Sequence, residues 1–142
     1  MDAFDADVLI YAAIPDHPLG RRVAALFSAE AAAKSGMRAG VGSVLLLPEL
    51  LAKPLKDGEA DAVKTLSGFL ARLDLRPVGR ATALLATVLG ARYNLRASDA
   101  THLATAVSMG ARRFITDNRR DFRAPITEID ITFPADLPGA GD

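Results

Sequence analysis

The 142-residue sequence predicts an α/β fold, a central parallel sheet covered by helices on both faces. Three observations carry this. Short apolar runs of strand length alternate with longer segments of helical periodicity. The helical segments keep apolar residues three and four apart, as Val63, Leu66, Leu70 and Leu73 do. Capping and breaking residues fall between the two kinds of segment.

The elements follow in order. Asp2–Asp5 reads as a short strand that turns into the apolar segment Val8–Ala13. Asp16 or His17 caps a helix with Pro18 at its first position, running to about Lys34 and ended by Ser35-Gly36. Arg38–Ser43 is a buried strand, and Ser43 caps a helix over Val44–Lys53 that Pro54 ends. Glu59–Leu73 is an amphipathic helix, and Leu75–Val78 a short strand. Arg80–Tyr93 is a helix burying Leu84, Leu85, Val88 and Leu89. Ser98 caps a helix through Met109, which Gly110 ends. Arg113–Thr116 is a strand, and Glu128–Phe133 alternates like an edge strand. One domain over 1–133 is expected, with 134–142, rich in Pro, Gly and Asp, as a frayed tail. Parallel strands joined by helices have right-handed crossovers and bind ligands beyond their carboxyl ends. Chemistry is therefore expected just after Phe4 and just after Ile115.

Composition narrows the chemistry. Cysteine is absent, which excludes disulfides, thiolate nucleophiles and thiolate-held zinc or iron–sulfur groups, and suits a cytoplasmic protein. No apolar run approaches the ~20 residues of a membrane span. The acidic start MDAFDADVLIYAA is unlike a signal peptide, which begins basic. Lys and Arg number 17, as do Asp and Glu, so the formal net charge is zero. That excludes a simple basic nucleic-acid coat. The charge is nevertheless segregated. Residues 1–17 and 124–142 hold four acids each and no Lys or Arg, leaving a middle with 17 basic residues against nine acidic, a formal +8.

Carboxylates fall where the fold predicts a site. Asp5 and Asp7 follow the first strand, and Asp117, Asn118 and Asp121 follow the Arg113–Thr116 strand. Each group alone is ordinary cap and turn chemistry. Two strands delivering carboxylates to one edge is more informative, because like charges there repel unless a divalent cation neutralises them. Asp99 lies one residue after Ser98, where it favours the helix dipole. Glu49 stands in the apolar run VLLLPELLA, where burial is costly without a partner. An all-oxygen donor set suits Mg²⁺ or Mn²⁺ rather than zinc. His102, three residues after Asp99, reads as a histidine at the core edge rather than a base. Arg112, Arg113, Arg119, Arg120 and Arg123 surround Asp117 and suit a phosphate backbone. With no Trp and two Tyr, no ladder for stacking bases is visible. No GxxxxGK[ST] or GxSxG motif occurs, and Gly40-Val41-Gly42 lacks the third glycine of a dinucleotide loop.

Four segments in fixed order, FDADVLIYA (4–12), SVLLLPEL (43–50), SDATHLATA (98–106) and FITDNRRDF (114–122), together resemble the PIN-domain family, which includes the toxins of VapBC toxin–antitoxin pairs. The resemblance spans Asp2 to about Phe133. It implies a three-layer α/β/α domain and metal-dependent cleavage of RNA. It implies that Asp5, Glu49, Asp99 and Asp117 are catalytic, with Asp5, Asp99 and Asp117 holding Mg²⁺ or Mn²⁺. Asp7 stands where the family often has Asn or Ser, and Ser43 resembles its small hydroxyl residue. The fourth acid is open in register: Asp117 follows Thr116, and Asn118 or Asp121 are substitutes. The family implies a homodimer and silencing by a cognate antitoxin. Asp-x-Asp after a strand is also the opening of haloacid-dehalogenase-like phosphatases, with Asp5 as nucleophile and Asp7 as acid–base. That scheme needs Ser43 and Lys53 or Lys56, and gives Glu49 and Asp99 no role. A third reading is a PIN-like module with a degenerate site that only binds a partner.

Overall fold

A computed structural model of the chain describes residues 1–28, 38–123 and 125–139. The described elements are β1 (Asp2–Phe4), α1 (Ala6–Ala12), α2 (Pro18–Ala25), β2 (Gly40–Ser43), α3 (Leu46–Lys56), α4 (Ala60–Leu70), β3 (Leu73–Arg76), α5 (Arg80–Tyr93), α6 (Ala97–Ser108), β4 (Arg113–Ile115) and β5 (Asp130–Thr132). The sheet runs β3-β2-β1-β4-β5. Every pairing is parallel, with Phe4 opposite Ile115 and Ser43 opposite Arg76. β5 lies at an edge, as its alternation predicts.

Alternation along the strands makes two cores, because successive side chains leave opposite faces of a sheet. Phe4 and Ile115 face one way and pack with Leu9, Val23, Leu46 and Leu70 from α1, α2, α3 and α4. Ala3 and Phe114 face the other way and pack with Leu89 and Leu103 from α5 and α6. Helices on both faces of a parallel sheet are the three layers expected. The α1–α2 approach depends on Gly20. A Cβ there would lie 1.9 Å from the Tyr11 carbonyl oxygen, so no other residue fits without moving the backbone.

Several expected boundaries shift, each for a local reason. α3 begins at Leu46 and continues through Pro54 to Lys56. A proline near the last turn removes one hydrogen bond and does not stop the helix there. Ser43 Oγ accepts from Leu45 N at 3.1 Å, so it shapes the approach to α3 rather than capping it. The apolar spacing of α4 runs on into Leu73, which is the first residue of β3, so that strand lies at 73–76 instead of 75–78. In α5 the buried residues are Ala86 and Leu89, while Leu84 is 57% and Val88 49% exposed. That helix carries apolar residues around its circumference, so spacing alone selects no face. Arg96 rather than Ser98 occupies the cap position of α6. α2 ends at Ala25. Residues 26–28 turn away from the helix, and the rest of its expected span, with Ser35-Gly36, lies outside the described residues.

The expected fraying from residue 134 is corrected over its first part. Pro134–Asp136 form a 3₁₀ turn, and Leu137 is 3% exposed within the first core. Arg22 Nη1 donates to the carbonyls of Ala135 at 2.8 Å and Leu137 at 2.9 Å. One buried leucine and two charge-assisted bonds offset the entropy that Pro, Gly and Asp give this segment. Leu137→Ala is therefore expected to cost about 2–5 kcal/mol. It would be read as a lower urea midpoint at unchanged m-value. An unchanged midpoint would mean that the segment does not pack.

Candidate active site

β1 and β4 are neighbours and end at the same edge. Asp5 N donates to the Ile115 carbonyl at 3.0 Å, extending their ladder by one residue. Asp5 then caps α1, its Oδ1 accepting from Ala6 N at 2.8 Å. Its Oδ2 accepts from Thr116 Oγ1 at 2.8 Å, and Asp5 is left 5% exposed. Asp7, in the first turn of α1, accepts from Val8 N at 2.7 Å and from Asp117 N at 3.0 Å. Two carboxylates thus tie the end of β1 to the loop after β4.

The first turns of two further helices supply the remaining acids. Asp99 comes from α6 and Glu49 from α3. Glu49 Oε1 lies 3.0 Å from Nε2 of His102, whose side chain is 1% exposed. Nδ1 of the same ring is buried, with no hydrogen-bond partner among the described residues. Asp5, Asp7, Glu49, Asp99, Asp117 and Asn118 line one open cleft of about 580 Å³. It lies beyond the carboxyl ends of the strands, where the fold predicts it.

The other candidates take different places. Ser43 and Thr116 are buried and lie outside the lining of this cleft. Asp121 lines a neighbouring cleft and accepts from Asn118 Nδ2 at 2.9 Å. Lys53 and Lys56 are exposed and absent from the carboxylate cleft, so the dehalogenase-like scheme lacks its lysine. Arg112 and Arg113 are corrected as backbone contacts. They stand at the start of β4, at the opposite edge of the sheet, and Arg113 grips Asp2 through two bonds of 2.9 Å. Arg119 lies 3.6 Å from Asp117 Oδ1 and 4.2 Å over the Phe133 ring. Arg120 and Arg123 line the neighbouring cleft. Ile10 and Tyr11, which also line the carboxylate cleft, escape a sequence reading that leaves 8–13 without a helical assignment. Three- and four-residue spacing from Asp7 is the signal that would place them on its face.

The electrostatics of the cleft follow from crowding and burial. Burial raises the Asp5 carboxyl above its usual range, and His102 and the Thr116 hydroxyl offset only part of this. Asp7 is pushed up to about 7, by burial first and then by the charge of Asp5. Asp99 is pushed up to about 6, by burial first and then by Asp5 and Asp121. Burial alone would lower His102. The Glu49 hydrogen bond and the charges of Asp5, Glu49 and Asp99 outweigh it and raise the imidazole instead. The cleft concentrates negative charge that a cation would relieve. An all-oxygen donor set with this electrostatics fits Mg²⁺ or Mn²⁺. Among the described residues, no three Asp, Glu or His side chains are grouped so as to hold one.

A parallel α/β/α sandwich with an acidic cleft at the β1–β4 edge defines the class. The PIN domain model matches residues 3–125, and the chain belongs to the PIN domain family. The fold is similar to that of a toxin–antitoxin complex from Klebsiella pneumoniae, with a TM-score of 0.69 and 20% identity, covering 94% of this chain and 98% of that one. It is also similar to VapBC2 from Rickettsia felis bound to a DNA fragment from their promoter. There the TM-score is 0.69 and the identity 17%, covering 93% of this chain and 97% of that one. At such identities the likeness is one of fold. A search of curated proteins gave no match.

The raised carboxyls predict a pH dependence of stability. A carboxyl raised by folding binds its proton more tightly in the folded chain. The stability it contributes is full below the unfolded value of about 4. It is lost as pH rises through about 6 for Asp99 and about 7 for Asp7. In chelator, the stability of Asp7→Asn relative to the parent chain should therefore rise between pH 4 and pH 8. Urea unfolding at several pH values measures this, and a constant difference would contradict the assignment.

Proposed function

We propose that this chain is a metal-dependent endoribonuclease, the toxin of a VapBC-type pair, silenced by an antitoxin. The observation that carries this reading is the convergence of Asp5, Asp7, Glu49, Asp99 and Asp117 on one cleft beyond the strand ends. Membership of the PIN domain family supports it, as does a fold shared with toxin–antitoxin proteins. Asp5, Asp99 and Asp117 would hold Mg²⁺ or Mn²⁺, with Asp7, Asn118 and Asp121 beside them. Bound there, the ion supplies a water of lowered pKa and charge to offset that of the phosphate. The chain's own residues do the rest. Thr116 and Ala6 N fix both oxygens of Asp5, so its direction costs no reordering. His102 holds Glu49 in the lining of the cleft. A basic segment of an antitoxin would find in the same acids a complementary surface. Leu84 and Val88, exposed one turn apart on α5, suit the apolar seam of a homodimer.

Asp5→Asn and Asp99→Asn should each lower RNA cleavage roughly a hundredfold or more, with the fold retained. EDTA should abolish cleavage, and Mn²⁺ should restore it. A cleavage assay with circular dichroism as the folding control reads both, and parental activity in either variant would refute the assignment. A second reading is a PIN domain that binds a partner without cutting. The lack of three grouped donors among the described residues favours it. Calorimetry separates the two, since absence of Mn²⁺ binding at millimolar concentration would select the binding module.

A further inference from the structure

Beside the carboxylate cleft lies a second cleft of about 600 Å³, lined by Tyr93, Leu95, Arg96, Arg120, Asp121 and Arg123. Its chemistry is opposite. Arg96, Arg120 and Arg123 are exposed, and among the described residues none has a side-chain hydrogen bond, ion pair or ring contact. Arg22 clamps two carbonyls, Arg113 grips Asp2, and Arg119 lies over Phe133, whereas the other exposed arginines without a side-chain partner, Arg21, Arg80 and Arg112, line neither cleft. The one acid in the second cleft, Asp121, already accepts from Asn118. Three unpaired guanidiniums around one concavity repel each other and are stabilised by an anion with several acceptor oxygens.

The two clefts are mechanically joined. Asn118 lines the first and is hydrogen-bonded to Asp121, which lines the second. Asp121 N donates back to Asn118 Oδ1 at 3.2 Å, so the pair closes a ring. Arg96, at the cap of α6, lies about one helical turn from Asp99 in the first turn of the same helix. A polyanion with its reacting group among the acids can thus continue onto the arginines.

Resting on the nuclease reading, we infer that Arg96, Arg120 and Arg123 form a subsite for the RNA backbone flanking the scissile phosphodiester. The subsite reads no base. It fixes the direction in which the strand crosses the acids. It also draws the recruiting cation from α6, a helix outside the Arg112–Arg123 run. An acidic protein segment is the competing occupant. It is disfavoured because a strand whose reacting phosphodiester lies among the acids has a backbone that continues over the adjoining guanidinium forks, whose one carboxylate neighbour, Asp121, is already bonded to Asn118.

The test uses the full chain carrying Asp5→Asn, which binds without cutting. Affinity for a fluorescein-labelled single-stranded RNA is measured by anisotropy across a salt series with Mg²⁺. Adding Arg96→Ala, Arg120→Ala or Arg123→Ala should each weaken every RNA sequence alike and reduce the salt slope by about 0.7. Arg112→Ala, at the far edge of the sheet, should leave the slope unchanged. In the active chain each of the three should raise KM roughly tenfold at near-constant kcat. Slopes and KM equal to those of Arg112→Ala would overturn the subsite while cleavage by the parent leaves the nuclease reading intact. Arginine-dependent binding without cleavage by the active chain would support the subsite and refute the nuclease. An oligoglutamate peptide that binds the three arginines where RNA does not would overturn it in favour of a protein partner.

Discussion

The hydrogen bond from Asp5 N to the Ile115 carbonyl continues the β1–β4 ladder one residue past the end of β1. Residues from opposite ends of the sequence are thereby held in one register. From that register follow the Thr116 hydroxyl on Asp5, the Asp117 amide on Asp7 and the ring of Asn118 with Asp121. A slip of one residue would turn Phe4 out of its core and Asp5 out of the cleft together. The apolar packing of Phe4 and Ile115 therefore fixes the position of a carboxylate. Burial sets the site as much as charge does.

The same coupling explains why the site opposes the fold. Asp5, Asp7 and Asp99 all titrate above their ordinary range, with burial the first cause in each. An acid cluster of this kind subtracts from stability at neutral pH. Two cores offset it, one on each face of the sheet, and the residues after Phe133 extend the first of them through Leu137. The balance is the usual one between a strained functional edge and a well-packed interior.

Much of this was legible in the sequence. Alternating strand and helix patterns give the layers, and the strand ends give the cleft, because both follow from short-range periodicity. Asp5, Asp7, Glu49, Asp99 and Asp117 arrive at one cleft as the spacing and the family resemblance suggest. What escaped reading depends on three-dimensional closure. The Arg112–Arg123 run looks continuous, yet β4 separates its first two residues from the cleft and Phe133 engages a third. Arg96 is distant in sequence from that run and joins it only across the turn into α6. The tail composition suggests disorder, and a single leucine with one arginine overrides it. Pro54 does not end its helix because the last turn tolerates it, and the helical spacing runs on into Leu73, where a strand already begins.

The bare Nδ1 of His102 has a consequence for proton traffic. If Glu49 carried the proton between them, the ring's only hydrogen would sit on Nδ1, buried with no acceptor among the described residues. The charged ring that the neighbouring acids favour bears the same unmet Nδ1 hydrogen, whereas the neutral tautomer with hydrogen on Nε2 leaves only a lone pair unmet. Glu49 then receives a hydrogen bond at Oε1. Among the described residues no relay leads further behind it, because the chain of polar atoms stops at the far side of the imidazole. Any proton consumed at this edge of the sheet must come from the open side of the cleft, with the solvent as its reservoir.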